Sequence, residues 1–417
     1  MAERPELSVL CHPTPFEVDV GSTQALDEVA QAMAACDGPV QFNCLWPSWD
    51  AARALEGALV GCTGLKSAEF AVVCGREHTR EWPEALAAIL TKCRRLDRLS
   101  VQLRSGARDE WSAPEVIRAL RTTSLTQIES SLVSDSVASS LLATCTGHPR
   151  LRAISLSFAV GSPPQGGWDA VVALLLGPGG PTRVRCGVRG AGSEHLAELA
   201  DILPAALGRG VRLELDLASS PAAMRARDPS GGDALAAAMT RLGWPDGASV
   251  RHAGPLGEAG REAVVRAVRE GTGRHMRLRG WDLGEEACVR LASALGRGGC
   301  VVELDVDGSG VGPRGTAALA EAAAGAESLR RLRLCGSDAA CDGAGGRALV
   351  ELLTSGAGRG VRVWLGAGEG EGSRGGEGRR RVLEAYGRRK ALEAGWDARW
   401  ARRGRMVTWR AMLSALR

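Results

Sequence analysis

Residues Asp305–Ala323 read DVDGSGVGPRGTAALAEAA. Within them, Gly310-Val311-Gly312-Pro313-Arg314-Gly315 spells G-x-G-x-x-G, after the strand-like run CVVEL and at the opening of a helix-like run. In a strand–turn–helix unit, this spacing can aim backbone N–H groups at a pyrophosphate lying on the helix N-terminus. The stretch is therefore either a dinucleotide cradle or an architectural turn, and the rest of the chain decides between them.

The unit is one of many. Strand-like runs begin near residues 40, 67, 98, 124, 151, 182, 211, 249, 275, 301, 329 and 361, with a period of about 28 residues. The one long gap holds the insertion ASSPAAMRARDPSGG. Most gaps carry a helix-like run with apolar residues three and four apart, among them WPEALAAIL, HLAELADILPAAL, CVRLASAL, AALAEAAA and ALVELL. One strand and one helix per unit, always in that order, predict parallel strands joined by right-handed crossovers. A unit this small cannot bury its apolar side alone, so the units must stack.

These runs resemble leucine-rich repeats of the ribonuclease-inhibitor type, L-x-x-L-x-L-x-x-N-x-I-x-x-x-G-x-x-x-L. VVELDVDGSGVGPRGTAAL matches at Val301, Leu304, Val306, Val311, Gly315 and Leu319. LRRLRLCGSDAACDGAGGRAL matches at Leu329, Leu332, Leu334 and Gly343, and HMRLRGWDLGEEACVRL at Met276, Leu278, Leu283 and Leu291. Before about residue 150 only the period and composition match. The resemblance implies an α/β fold: a curved solenoid of about twelve repeats, with parallel strands on the concave face and helices on the convex face. The family's turn asparagine is replaced by Trp281, Ser309 and Ser337. No asparagine ladder can brace these turns, and irregular repeats are expected.

The repeat register gives the opening motif its reading. Gly315 falls where the family's glycine turns the chain into the helix, and a lone G-x-G-x-x-G in a chain with 55 glycines is weak evidence for a nucleotide. Asp338 stands where a ribose-binding acid would lie, yet a dinucleotide domain carries its fingerprint on the first strand of a fresh sheet. The glycines are read as architectural, with no cofactor. No H-E-x-x-H and no P-loop motif occurs. Cys145 and His148 could offer two metal ligands, but no second pair closes a site; a surface histidine beside a buried thiol is the plainer reading. Nothing nominates a catalytic residue, and no enzyme is expected. The twelve cysteines form no C-x-x-C pair. Cys36, Cys62, Cys93 and Cys145 recur between helix-like and strand-like runs, as small buried hydrophobes would. The start MAERPELSVL is not a secretory signal, and no apolar run approaches the roughly 18 residues of a spanning helix. A soluble chain in the cytoplasm is the expectation.

Strand alternation sends a second set of side chains to the concave surface: Arg183 and Arg185, Glu214 and Asp216, Arg251, Arg277 and Arg279, Glu303 and Asp305, Arg331 and Arg333, Arg362 and Trp364. The sign largely alternates from strand to strand. This is either a mixed-charge surface for a protein partner, anchored by Trp281 and Trp364, or a self-neutralised solvated face. Neither suits nucleic acid, which requires one continuous sign.

The domain reading is a repeat array over residues 1–365, with 1–39 as a cap or first divergent repeat. A Gly-rich linker covers 366–378, and a basic helical tail 379–417. The tail holds twelve Lys and Arg against three Asp and Glu, a balance of +9 in a chain whose net charge is +4. Its Trp396 and Trp400, with Arg403 between further arginines, outline a basic amphipathic helix. That helix either caps the last repeat, anchors on an acidic surface or calmodulin-like partner, or meets nucleic acid. The expected function is a non-catalytic protein–protein interaction scaffold. Its candidate contacts are Arg277, Arg279, Trp281, Arg331, Arg333 and Trp364 on the sheet, and Trp396, Trp400 and Arg403 in the tail. Two alternatives stand beside it. One is a small-GTPase regulator of the activating type, a class that uses the same repeats but carries an acidic tail. The other is a structural subunit of a cytoskeletal or ribonucleoprotein assembly.

Overall fold

A computed structural model describes residues 40–46, 56, 60, 65–73, 81–93, 95–104, 114–160, 166–217, 228–251, 254–298, 300–335, 341, 343–354, 361–366 and 377–393. Strand and helix alternate along the chain. The order opens with β1 (Val40–Trp46), β2 (Leu65–Val73), α1 (Glu81–Lys92), β3 (Arg98–Arg104), α2 (Pro114–Thr122), β4 (Gln127–Val133), α3 (Asp135–Cys145) and β5 (Ala153–Ala159). Next come α4 (Gly167–Leu176), β6 (Arg183–Arg189), α5 (Ser193–Gly208), β7 (Arg212–Asp216), α6 (Ser230–Arg241), β8 (Ala248–Arg251), α7 (Glu258–Arg269) and β9 (His275–Arg277). The order closes with α8 (Gly284–Leu295), β10 (Glu303–Asp305), α9 (Gly312–Gly325), β11 (Arg331–Cys335), α10 (Gly343–Thr354), β12 (Arg362–Gly366) and α11 (Glu377–Glu393). All twelve strands lie within a few residues of the periodic positions.

Two compact units divide the chain, residues 1–191 with 202–218 and residues 192–201 with 219–417. In the first, β1 to β7 pair in chain order and every pairing is parallel. Residues at the strand starts fall in one row, Gln127, Ala153, Arg183 and Arg212. Alternation decides which side is dry: Ile154, Leu156 and Phe158 on β5, Val184, Cys186 and Val188 on β6, and Leu213 and Leu215 on β7 are all buried. The helix residues Val137, Leu141, Leu142, Val171 and Leu174 are buried as well. Each such fully buried aliphatic side chain contributes about 1.5–3 kcal/mol relative to exposure, so the strand–helix seam carries most of the fold's stability.

In the second unit β9, β10, β11 and β12 pair in parallel and in chain order, and α6 to α11 pack one against the next. Here the strands are three to five residues long, but backbone pairing runs on into the turns. Leu278 N–H donates to Asp305 O, Gly280 N–H to Asp307 O, and Val306 N–H to Arg333 O.

The turns are braced after all, without asparagine. Ser309, fully buried, donates its hydroxyl to Leu278 O at 2.5 Å. Trp281 Nε1 donates to Val250 O at 2.7 Å. Two of the three positions where the family has its asparagine, Trp281 and Ser309, thus carry a donor that reaches the backbone of the preceding repeat, while Ser337 lies outside the described residues.

A second brace joins successive helices. Asp135, in the first turn of α3, accepts from Gly167 N–H at the start of α4 at 3.2 Å. Asp233 in α6 accepts from Gly257 and Gly260 N–H at 2.8 and 3.0 Å, at the start of α7. Glu285 in α8 accepts from Arg314 N–H of α9 at 2.6 Å. A helix N-terminus leaves N–H groups unpaired and carries partial positive charge, so a carboxylate there satisfies both needs.

The tail begins two residues earlier than the composition implies, and its first half packs on α10. Val382 and Ala385 are fully buried, and Arg389 donates to Leu352 O at 3.0 Å and to Val361 O at 2.6 Å. Among the described residues, these groups cover the last repeat. The expected cap at 1–39 and the tail residues Trp396, Trp400 and Arg403 lie outside the described residues.

Candidate binding surface

The open face of the second unit's sheet is a ladder of charge. β10 offers Glu303 and Asp305, and Asp307 extends the same row past the strand end. In register, Asp305 stands between Arg277 of β9 and Arg333 of β11, while Glu303 stands between His275 and Arg331. Glu303 draws in an arginine from either side, with Arg331 Nη1 at 3.4 Å and Arg277 Nε at 3.9 Å. Asp307, whose side chain is only 7% exposed, does the same with Arg333 Nε at 3.4 Å and Arg279 Nε at 3.6 Å. One acidic strand thus holds the guanidinium groups of both neighbours. Asp305 accepts the Asp307 N–H at 3.1 Å. Burial raises its carboxyl pKa against the opposing pull of that hydrogen bond and of Arg333. At the next strand, Trp364 faces Arg333 in register and is 36% exposed.

Of the sheet residues expected from sequence, Arg277, Arg279, Arg331, Arg333 and Trp364 come together on this face. Trp281 does not. It is 0% exposed, its ring packs 5.4 Å from that of Trp244, and its N–H is spent on Val250. The reason is local: Gly280 at φ +69° and Asp282 at φ +44° turn the chain, so the strand's in-and-out parity ends at Arg279. Trp281 is a core residue and offers a partner no surface. Asp307 is the residue that sequence reading missed, although the every-second-residue run Glu303, Asp305, Asp307 continues straight to it.

No family model and no curated protein matches the chain. Its chemistry must be read from its own geometry, beginning with the glycine turn. Gly312 adopts φ +61°, and a Cβ there would stand 2.7 Å from Glu285 Oε1. Gly315 lies so close to the preceding repeat that its Cβ would meet that of Cys288 at 2.9 Å. The helix N-terminus where a pyrophosphate would rest is occupied by the Glu285 carboxylate, bonded to Arg314 N–H. The glycines admit that carboxylate and the neighbouring helix, which is a structural cause sufficient for the motif.

His148 is buried rather than at the surface. Nδ1 accepts from Leu151 and Arg150 N–H at 3.0 and 3.3 Å, so the proton sits on Nε2, which donates to Leu120 O at 3.1 Å. Burial lowers its pKa, and both ring nitrogens are committed to backbone. Cys93 and Cys145 are buried as expected, while Cys36 and Cys62 lie outside the described residues. Burial pushes the Cys145, Cys186 and Cys288 thiols up to about 12, which suppresses the nucleophilic thiolate. Among the described residues, no helix is long and apolar enough to cross a membrane.

Proposed function

We propose that the chain is a non-catalytic protein-interaction scaffold, built as a divergent leucine-rich-repeat solenoid of the ribonuclease-inhibitor type. It recognises a protein partner through the open sheet face of its second unit. The observation that carries this reading is the set of arginines 277, 279, 331 and 333 held by Glu303 and Asp307, with half-exposed Trp364 beside them. Arginine and tryptophan supply the dominant contacts of protein interfaces. Here the ion pairs fix the guanidinium groups before any partner arrives, which reduces the entropy lost on docking. The location is the cytoplasm.

The test is affinity capture from native extract with the full chain and with an Arg331→Ala/Trp364→Ala variant, whose fold is checked by circular dichroism and thermal melting. Specific partners should drop out with the variant; partners retained equally by both sink the reading. A truncation after Glu393 preserves the α11 contacts and separates any partner held by the last residues.

A further inference from the structure

The first unit carries a surface that its own sequence leaves unbalanced. Along the edge where its parallel strands begin, a hollow of about 360 Å³ is lined by Thr126, Gln127, Arg152, Ala153, Thr182, Arg183, Gly210 and Arg212. A second hollow shares Thr126 and Arg152 with it and adds Arg95, Arg150, Ser124 and one carboxylate, Asp97. Among the described residues, five arginines thus line this strip with one acid.

Several other arginines on the sheets have carboxylates on the adjacent strand: Arg98 with Glu129, Arg185 with Glu214, and four of the second unit with Glu303 and Asp307. At the strand starts of the first unit such carboxylates are missing among the described residues. Arg183 and Arg212 are direct register partners on one face, and on its other side Arg183 meets Ala153. Among the described residues, Arg152, Arg183 and Arg212 form no ion pair with a carboxylate. Like charges directly opposite on neighbouring strands oppose folding, and a bound anionic segment would relieve that opposition.

We propose that this strip binds an acidic peptide segment, a run of Asp and Glu in a partner protein. Strands about 4.8 Å apart place successive guanidinium groups within reach of carboxylates along an extended peptide. Thr126 and Thr182 lie between the arginines, but their hydroxyls already donate to Asp97 O and Arg152 O, so the guanidinium groups carry the recognition. Among the described residues no aromatic side chain lines either hollow, so none of them offers a platform on which the bases of a single-stranded nucleic acid could stack. The surface lies in the other unit from the tryptophan-edged ladder, and the inference stands independently of the function proposed for that face.

The test measures fluorescence anisotropy of a labelled octaglutamate peptide with the full chain at low salt. Octaglutamine and a short poly(U) oligonucleotide serve as comparison probes. Arg152→Gln/Arg183→Gln/Arg212→Gln should weaken octaglutamate binding by about tenfold or more, three exposed pairs being lost together. A charge-matched variant, Arg241→Gln/Arg297→Gln/Arg330→Gln, should bind as the parent does. Because removal of the Arg183–Arg212 opposition relieves repulsion, the melting temperature of the first variant should not fall; Arg183→Gln alone gives the same direction with the least disturbance. Failure to bind octaglutamate, or equal weakening in both triple variants, overturns the proposal. Tighter binding of poly(U), lost in the first variant, overturns it in favour of nucleic acid.

Discussion

The two units join one repeat to the next by different means. In the first, most strands run seven residues in long parallel registers, and the backbone ladder does most of the joining, with side-chain links such as Asp135 to Gly167 and His148 to Leu120 O beside it. In the second, β9 and β10 are three residues long, and side chains reach across where the ladder is short: Trp281 to Val250 O, Ser309 to Leu278 O, Asp233 to two amides of the next helix. A short strand is cheap to order but gives few hydrogen bonds, so a buried donor per turn restores the connection. Stability in the second unit should therefore depend on single side chains to a degree that the first does not share.

Trp281→Ala is the strongest way to break that contrast. It removes a fully buried indole together with its bond to Val250, and an expected loss of about 3–5 kcal/mol would be read by chemical denaturation. A loss below 1 kcal/mol would show that the backbone alone carries the second unit. Arg389→Met comes next. Two carbonyls of the last repeat would lose a charged donor, costing about 2 kcal/mol, with hydrogen exchange rising in α10 and β12 before the rest. Asp233→Ala and Asp135→Ala then sharpen the comparison, since both remove a carboxylate from the N-terminus of the following helix. Each should cost about 1 kcal/mol, and near-equality would locate the difference between the units in the turns rather than in the helix row. The smallest effect has the opposite sign. Burial holds the Asp305 carboxyl above its usual range, so the folded chain binds its proton more tightly than the unfolded one. This group's contribution to stability therefore falls as pH rises through that window. Asp305→Asn, which keeps an acceptor for the Asp307 amide, should melt slightly higher at neutral pH, and the gain should vanish below the normal carboxylate range.

The same contrast governs what could be read from sequence. Period and alternation located every strand, because burial of one face imposes both, and they placed Arg277, Arg279, Arg331, Arg333 and Trp364 on the open face. Alternation holds only while the backbone stays extended. The turn at Gly280 ended it, which is why Trp281 faces the core. The helix-row carboxylates were illegible for another reason. Asp135 and Gly167, Asp233 and Gly257, and Glu285 and Arg314 are 32, 24 and 29 residues apart, and neither member of a pair announces its partner. The G-x-G-x-x-G stretch was legible as architecture from its place in the repeat, yet the anion it accommodates belongs to the repeat before it.

That last arrangement bears on how such a chain could lengthen or recombine. Each carboxylate and the amide it meets belong to successive modules, so the exchangeable piece is not one strand and one helix but a junction. The members of each couple stand 24 to 32 residues apart, about one repeat, so a cut anywhere between Glu285 and Arg314, at the glycine turn or through the helix, parts them. A transferred piece keeps the couple only if it spans both residues.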